Sequence, residues 1–232
     1  MANNRQKIFP YKSLPYVVFF LSCCFLVYLL FTIRADVFFS GDAGLKYLVL
    51  NQVNQGGVYK TLNIAKPAWV QHIWAEGFYP FKPPFIYDTP HGRLVSFPPA
   101  FQWINAPFFK LFGYKGMYVV PCASLLLLWF WFIVTLRRQK VSPLVITAAM
   151  FLLSFCSPLT VYGAIYWEHT LATLLSFSGI VYLLERPSSY IKAFLLGCLS
   201  GTAVWLRPEA IVICGLLAFT VFYNYERKKK IC

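Results

Sequence analysis

Two adjacent ionisable residues, Glu168 and His169, interrupt an apolar part of the chain. Residues 141–167 carry no charge, and 170–184 are uncharged as well. An ionisable pair at the edge of a hydrocarbon layer is costly, and it usually persists where it faces a cavity and acts there. Such a pair could position an acceptor group or, with the imidazole protonated, hold a phosphate. The alternative is a polar cap, because an acid is favoured at the start of a helix.

Two further sites carry charges next to apolar segments. Asp42 follows the first apolar segment in Phe-Phe-Ser-Gly-Asp-Ala-Gly, where it could also be a helix N-cap. Arg207 and Glu209 flank Pro208 between two short apolar runs. A guanidinium group matches phosphate oxygens with two parallel hydrogen bonds. The alternatives for Arg207 are an ion pair with Glu209 or a side chain that reaches the membrane surface.

The segments that position these residues are long and apolar. The 232 residues are 59% hydrophobic and 12% charged, which is typical of a polytopic membrane protein and not of a soluble domain. A helix needs about 20 apolar residues to cross a bilayer. The runs predict an all-α protein, treated as one membrane domain over 1–232, with a loop at 34–115. Its six spans are expected at about 13–33, 116–136, 141–162, 166–184, 190–206 and 209–225.

The distribution of charge predicts the orientation of these spans. With six spans, the Lys/Arg clusters at 5–12, 137–140, 186–192 and 227–230 all fall on one side. The positive-inside rule places that side, and both termini, in the cytoplasm. Six of the eight carboxylates then lie outside or at the outer edge. A single helix over 193–225 would be roughly 50 Å long, too long for a bilayer, so a hairpin turning at Arg207-Pro208-Glu209 is preferred.

The first segment and the large loop have features of their own. The uncharged run from Ser13 to Ile33 is long for a signal-peptide core, and it is predicted to remain as the first span. The loop is expected to carry two interfacial helices. One follows Asp42, with Leu45, Leu48 and Val49 on one face, and ends at Gly56-Gly57. The other follows Pro98-Pro99 and is apolar at helical spacing. Residues 58–97 between them are predicted to be an irregular lid with little regular structure.

Composition also argues against other classes of site. Six of the seven cysteines fall in apolar runs, where buried thiols acting as small hydrophobic groups are expected. No Cys/His spacing typical of a structural metal site is present, and no metal ligand is assigned. The formal net charge of +13 reflects membrane topology, so no nucleic-acid partner is expected.

The order of these features resembles the C-type membrane glycosyltransferases. The shared features are an acid in Gly41-Asp42 after the first span, a long outer loop, Trp167-Glu168-His169 at the outer end of a later span, and a Leu-Arg-Pro-Glu-Ala turn. Relatives within that family include the protein O-mannosyltransferases and the aminoarabinose transferases of lipid A. The resemblance implies transfer of a sugar from a polyprenyl phosphate or diphosphate carrier to an envelope glycan, lipid or protein acceptor. It implies the cytoplasmic (inner) membrane, with the active face extracytoplasmic.

The resemblance also implies roles for individual residues. Asp42 and Glu168 are the predicted catalytic residues, with Asp42 as the general base for the acceptor hydroxyl. His169, Arg207, Glu209 and Lys46 are the predicted substrate-binding residues. Lys46 has a simpler alternative, a solvated surface side chain. No cofactor is assigned, although some branches of the family use a divalent metal.

Two questions stay open at the level of sequence. Members of this family are usually longer, so a separate C-terminal half could complete the enzyme. The rival function is a non-catalytic membrane protein that binds lipid or assists assembly. In that case the outer acids would pair with nearby basic residues and would line no open cavity. A transporter is a weaker rival, because no pair of broken helices occurs in corresponding halves.

Overall fold

The computed structural model describes residues 11–36, 38, 41–56, 62, 68–77, 83–90, 92–184 and 190–229. The chain is mostly helical, as the sequence predicts. It divides into two compact units. The helical unit comprises Met1–Arg34 and Val120–Cys232, and the insert unit comprises Ala35–Val119. The insert unit therefore covers nearly the same residues as the predicted outer loop.

The described part of the chain contains helices and two strands. The helices are α1 (Leu14–Thr32), α2 (Gly41–Asn54), α3 (Ala68–Ala75), α4 (Ala100–Phe112), α5 (Val119–Arg138), α6 (Pro143–Phe155), α7 (Leu159–Gly163), α8 (His169–Leu184), α9 (Tyr190–Leu206) and α10 (Ile211–Lys229). The strands are β1 (Ile86–Thr89) and β2 (Gly92–Val95). Short 3-10 helices, Gly113–Tyr118 and Pro208–Ala210, precede α5 and α10.

In the helical unit, α1 and α5 are antiparallel. Arg137, near the end of α5, donates a hydrogen bond to the hydroxyl of Tyr16, near the start of α1. The guanidinium carbon of Arg137 lies 5.1 Å from the centroid of the Tyr16 ring, a cation–π distance. The core of the unit is apolar and is formed by Leu26, Leu125, Leu128, Trp129, Ile133, Ile146, Met150 and Ala164.

The predicted span 141–162 consists of two helices. Helix α6 begins at Pro143 after Ser142, whose hydroxyl accepts a hydrogen bond from the amide of Val145. It ends at Phe155, and α7 begins just after Pro158. Proline lacks an amide hydrogen and clashes with the preceding turn, so the chain breaks there.

The predicted hairpin turn at Arg207 is present. Helix α9 ends at Leu206, Arg207 is extended, and a 3-10 turn over Pro208–Ala210 leads into α10. Both arms pack on α8 at Gly179. A Cβ atom there would lie 2.9 Å from Oγ of Ser200 and 3.1 Å from Cδ1 of Leu217.

Gly163 allows a close approach between three helices. A Cβ atom at this position would lie 2.4 Å from Cδ2 of Leu125 in α5 and 3.3 Å from Cδ1 of Leu26 in α1. Leu125 is fully buried, so it cannot move aside without displacing its neighbours. We expect Gly163→Ala to lower the free energy of unfolding by about 1–3 kcal/mol, measured by thermal unfolding in one fixed detergent.

Gly197 in α9 supplies the matched control for that substitution. A Cβ atom on Gly197 meets nothing within 4 Å. Alanine is favoured over glycine in a helix by roughly 0.5–1 kcal/mol, so Gly197→Ala should keep or raise stability. Equal effects of the two substitutions would contradict the packing role of Gly163.

In the insert unit, both helices predicted from apolar spacing are present. They are α2 and α4, and they pack against each other. The prediction of an irregular lid over 58–97 is wrong for part of that segment. It contains α3 and a two-stranded antiparallel sheet in which Ile86 pairs with Val95 and Thr89 pairs with Gly92. The turn signals at Asp88-Thr89-Pro90 connect two strands.

Helix α4 is amphipathic in the opposite sense to a helix on a soluble protein. Its polar residues Gln102 and Asn105 are buried, at 1% and 0% exposure. Its large apolar residues Ile104, Leu111 and Phe112 are exposed. An apolar face turned outward is typical of a helix that lies in a membrane interface.

The helical unit also exposes many large apolar side chains. Only 17% of the apolar window in Leu14–Thr32 is buried. The largest exposed groups include Phe20, Phe31, Leu144, Leu152, Phe194, Ile211, Leu216 and Phe219. Apolar patches of this extent are rare on soluble monomers and mark surfaces that meet lipid or protein.

Two helical stretches in the described part of the chain are long and apolar enough to cross a membrane. They are Leu14–Thr32 and Ala100–Arg138. The other apolar helices are shorter than this length requires, at 10–17 residues. Length and composition thus support membrane association.

The cysteines differ from the expectation of buried thiols. Cys24, Cys156 and Cys198 are exposed, and Cys23, Cys122 and Cys214 are half-buried. All six are free thiols. The difference arises because the apolar helices also have apolar residues on their outer faces, and the exposed cysteines lie on those faces.

Candidate functional site

An ion pair joins two of the predicted site residues across the helical unit. Nη1 of Arg207 donates to Oε1 of Glu168 at 3.2 Å. The Glu168 side chain is only 5% exposed, and that of Arg207 is 27% exposed. Glu168 directly precedes α8, and its carbonyl accepts the amide hydrogen of Ala172. The residue therefore combines the expected helix-start position with a buried charged contact.

The second guanidinium nitrogen of Arg207 contacts a different acid. Nη2 lies 3.3 Å from Oε1 of Glu209, whose side chain is 71% exposed. The ion pair considered as an alternative role for Arg207 is thus present, together with a second pair whose carboxylate is buried. Arg207 bridges two carboxylates that differ sharply in their access to solvent.

His169 packs in a cluster of three rings at the start of α8. Its ring centroid lies 4.6 Å from that of Tyr162 and 4.7 Å from that of Trp167. Tyr162 and Trp167 are themselves 5.3 Å apart. The rings fix the orientation of the imidazole beside Glu168. The sequence singled out Trp167 with Glu168 and His169, but not Tyr162.

A buried hydrogen bond anchors the start of α8 to α5. The hydroxyl of Thr170, which is fully buried, donates to the carbonyl of Pro121 at 3.0 Å. The buried hydroxyl therefore has a protein partner, which offsets the cost of removing it from water. Sequence analysis missed Thr170, because nothing in the spacing relates it to a residue so far back in the chain.

A cavity of about 430 Å³ lies in the helical unit, and Arg207 and Glu209 both line it. This volume is within the usual range of ligand sites. Its polar lining consists of His169, Thr173, Ser176, Arg207 and Glu209. Its apolar lining includes Leu128, Phe132, Leu153, Leu159, Phe177, Ile180 and Ile213.

One face of α8 forms a continuous wall of the cavity. His169, Thr173, Ser176 and Ile180 all line it, at the four-three-four spacing of a single helical face. At 1.5 Å per residue this wall is roughly 16 Å long. Ile180 at its far end is 38% exposed, so the cavity reaches the surface of the unit there. The cavity is therefore long, mostly apolar and charged at one end.

Asp42 lies in the insert unit, in the first turn of α2. The helix begins at Gly41, so Asp42 is inside the helix and is not its N-cap. A carboxylate in the first turn is stabilised by the helix dipole. The side chain is half-buried.

Lys46, one turn further along α2, is not the solvated surface lysine considered in its simpler alternative. It is only 2% exposed, and its Nζ lies 4.6 Å from the centroid of the Phe97 ring. The neighbouring residues Leu45 and Val49 belong to the apolar core of the insert unit, which surrounds the long side chain. A cation over an aromatic face is stabilised even when partly desolvated.

A tyrosine pair lies next to Lys46 along α2. The hydroxyls of Tyr47 and Tyr114 are 2.9 Å apart, and their rings are 5.3 Å apart. Burial and the hydrogen bond with Tyr114 raise the pKa of Tyr47 to about 12. The phenol of Tyr47 is therefore neutral over the physiological pH range.

The predicted site residues are distributed over both units. Glu168, His169, Arg207 and Glu209 come together in the helical unit, within or beside one cavity. Asp42 and Lys46 share one helix in the insert unit. In the described part of the chain, no group of three or more His, Cys, Asp or Glu side chains is arranged to hold a metal ion.

Comparison with models of known protein families, with curated proteins and with solved structures finds no match to this chain.

Proposed function

We propose that this protein is a membrane glycosyltransferase. It moves a sugar from a polyprenyl phosphate or diphosphate carrier to an envelope acceptor on the extracytoplasmic side of the cytoplasmic membrane. The observation that carries the proposal is the cavity of the helical unit, which is long and mostly apolar and has Arg207 at one end. A polyprenyl phosphate has the same division, an apolar chain with an anionic head.

The charged end of the cavity suits a phosphate better than a neutral head group. Nη1 of Arg207 is held by the buried Glu168, and Nη2, which contacts the exposed Glu209, can donate to a phosphate oxygen instead. His169 borders the same space and could add a second positive donor when protonated. Thr173 and Ser176 supply hydroxyl donors further along the wall.

The proposed reaction needs one proton acceptor. Asp42 removes the proton from the acceptor hydroxyl while the hydroxyl oxygen forms a bond to the anomeric carbon of the sugar. The bond between that carbon and the phosphate oxygen breaks, and the departing phosphate keeps the electron pair. Basic groups in a low-dielectric cleft stabilise the new charge. Glu168 fixes Arg207 for this role through the buried ion pair.

The proposed topology has six spans and cytoplasmic termini. The orientation in this proposal is supported by the positions of charged groups along α5. Pro121, which Thr170 contacts, and Arg137, which Tyr16 contacts, are separated by about 24 Å along α5. The Glu168–Arg207 pair is near the first of these ends, and the basic cluster at Arg137 forms the second.

The rival function is a lipid-binding or assembly protein without catalysis. One observation favours it, because Arg207 already contacts two carboxylates, as expected of acids that serve only structure. A second observation opposes it, because Arg207 and Glu209 line a cavity and do not close it. Both functions share lipid binding, so sugar transfer is the property that separates them.

The test measures binding and transfer on one preparation in lipid nanodiscs. We expect the protein to bind a long-chain polyprenyl monophosphate more tightly than the matching neutral polyprenol. Arg207→Lys should lose most of this difference, about tenfold, because a lysine ammonium is a point charge and lacks the rigid guanidinium plane that contacts Glu168 and the phosphate together. Arg137→Lys is the matched control. Arg137 lies at the end of α5 away from Pro121, so this variant should keep the preference for the monophosphate.

The outcomes of this test separate the two functions. Equal affinity of the natural protein for the phosphate and the alcohol would refute the proposed site. Selective phosphate binding without transfer of labelled sugar, with its neighbouring gene products present, would favour the lipid-binding protein. Selective binding together with release of free polyprenyl phosphate supports the transferase.

A further inference from the structure

The two carboxylates on Arg207 differ in how easily each can leave. Glu168 is 5% exposed, and breaking a buried ion pair by removing one partner is strongly unfavourable. Glu209 is 71% exposed, and exposed pairs contribute little to stability. Any group that competes for Arg207 should therefore displace Glu209 and leave Glu168 in place.

The charge of this cluster is a barrier to an anionic ligand. Arg207 carries one positive charge and faces two carboxylates, so the three side chains together are negative. A phosphate that approached Nη2 while Glu209 remained there would meet a like charge, which is repulsive at this distance. The site becomes attractive to an anion only when the Glu209 side chain turns away from Nη2.

The position of Glu209 fits such a movement. Its side chain lines the same cavity as Arg207, and it lies in the short turn between α9 and α10. Ala210, the next residue, is buried and holds the backbone of the turn. The carboxylate can therefore rotate into solvent without a change in the fold.

We propose that Glu209 is a placeholder: it occupies Nη2 of Arg207 in the empty site, and a phosphate head group must displace it to bind. This inference rests on the proposed function, since it assumes that the cavity takes an anionic lipid. A neutral head group does not compete for Nη2, so Glu209 lowers the affinity for a phosphate and leaves the affinity for an alcohol unchanged. Glu168 remains paired and keeps the guanidinium oriented throughout.

The experiment compares lipid affinity in Glu209 variants, in nanodiscs of neutral lipid. The probes are a long-chain polyprenyl monophosphate, the matching polyprenol, and inorganic phosphate alone. We expect Glu209→Gln to bind the monophosphate on the order of fivefold more tightly, because removal of the competing charge frees Nη2. Affinity for the polyprenol should not change. Glu209→Asp, which keeps the charge, should stay closer to the natural protein than Glu209→Gln does.

Asp88→Asn is the matched control. Asp88 also forms an arginine ion pair, with Arg93 at 3.1 Å, and its side chain is also 71% exposed, but it lies in the insert unit. This variant should leave both affinities unchanged. If Glu209→Gln binds inorganic phosphate more tightly as well as the lipid monophosphate, the effect belongs to the head group alone, which supports the proposal.

Two results would overturn the placeholder. One is unchanged or weaker binding of the monophosphate by Glu209→Gln while the natural protein still prefers the monophosphate to the polyprenol. The other is an equal gain for both lipids. If the natural protein itself shows no preference for the monophosphate, the proposed function fails first, and the two failures are distinguishable.

Discussion

Asp42→Asn should reduce sugar transfer by about 10²–10⁴-fold while the protein stays folded. General base catalysis contributes an acceleration of this size, and the amide of asparagine cannot accept the proton. The structural role of the residue predicts a much smaller effect. Asp42 lies in the first turn of α2, where its charge is worth roughly 0.3–1 kcal/mol through the helix dipole. The two roles therefore predict results that differ by orders of magnitude in rate.

The measurement is transfer from a labelled polyprenyl-phosphate sugar, with thermal unfolding followed on the same sample. Asp88→Asn makes the same chemical change at an exposed carboxylate of the insert unit and should keep full activity. Turnover at the natural level in Asp42→Asn would remove Asp42 from the catalytic role. Loss of activity that parallels loss of folded protein would return it to a purely structural one.

The fold was predictable where local signals decide it. Apolar residues at helical spacing predicted α2 and α4, and Arg207-Pro208 predicted the turn before α10. Pro158 indicates the break between α6 and α7, but the long apolar run around it was predicted as one continuous span. The β1–β2 hairpin was missed, because four-residue strands on either side of a turn give too short an alternation to detect.

The site was predictable only in part, because its contacts join distant parts of the chain. Charges in apolar surroundings indicated Glu168 and Arg207 as site residues. The ion pair considered for Arg207 was with Glu209, and its contact with Glu168 was missed. The hydrogen bond from Thr170 to Pro121 had no signal, since any hydroxyl at a helix start can serve many acceptors. Lys46 was misjudged, because an isolated lysine gives no sign that a Phe97 ring lies over it.

The same buried pair that positions Arg207 should dominate the stability of the helical unit. In Arg207→Met, the carboxylate of Glu168 keeps its buried position and loses the guanidinium 3.2 Å away. Removing one partner of a buried pair costs about 3–5 kcal/mol. For a chain of this size, that corresponds to a fall in the melting temperature of roughly 10 °C, measured in one fixed detergent.

The reverse single substitution should cost less. In Glu168→Gln, Arg207 retains Glu209 and is 27% exposed, so solvent and the second carboxylate still stabilise its charge. The double variant Glu168→Gln with Arg207→Met removes both charges, and neutral replacement of a buried pair is often close to neutral in stability. We therefore expect the double variant to be more stable than Arg207→Met alone.

This comparison decides what the pair contributes. A positive coupling energy of more than about 1 kcal/mol shows that Glu168 and Arg207 act together within the folded unit. If Arg207→Met loses less than about 1 kcal/mol, the pair behaves as an exposed one, and Glu168 is not held in a low-dielectric environment. Arg207 would then lack the fixed orientation that phosphate binding requires, so both the site geometry and the proposed role of Glu168 would have to be abandoned.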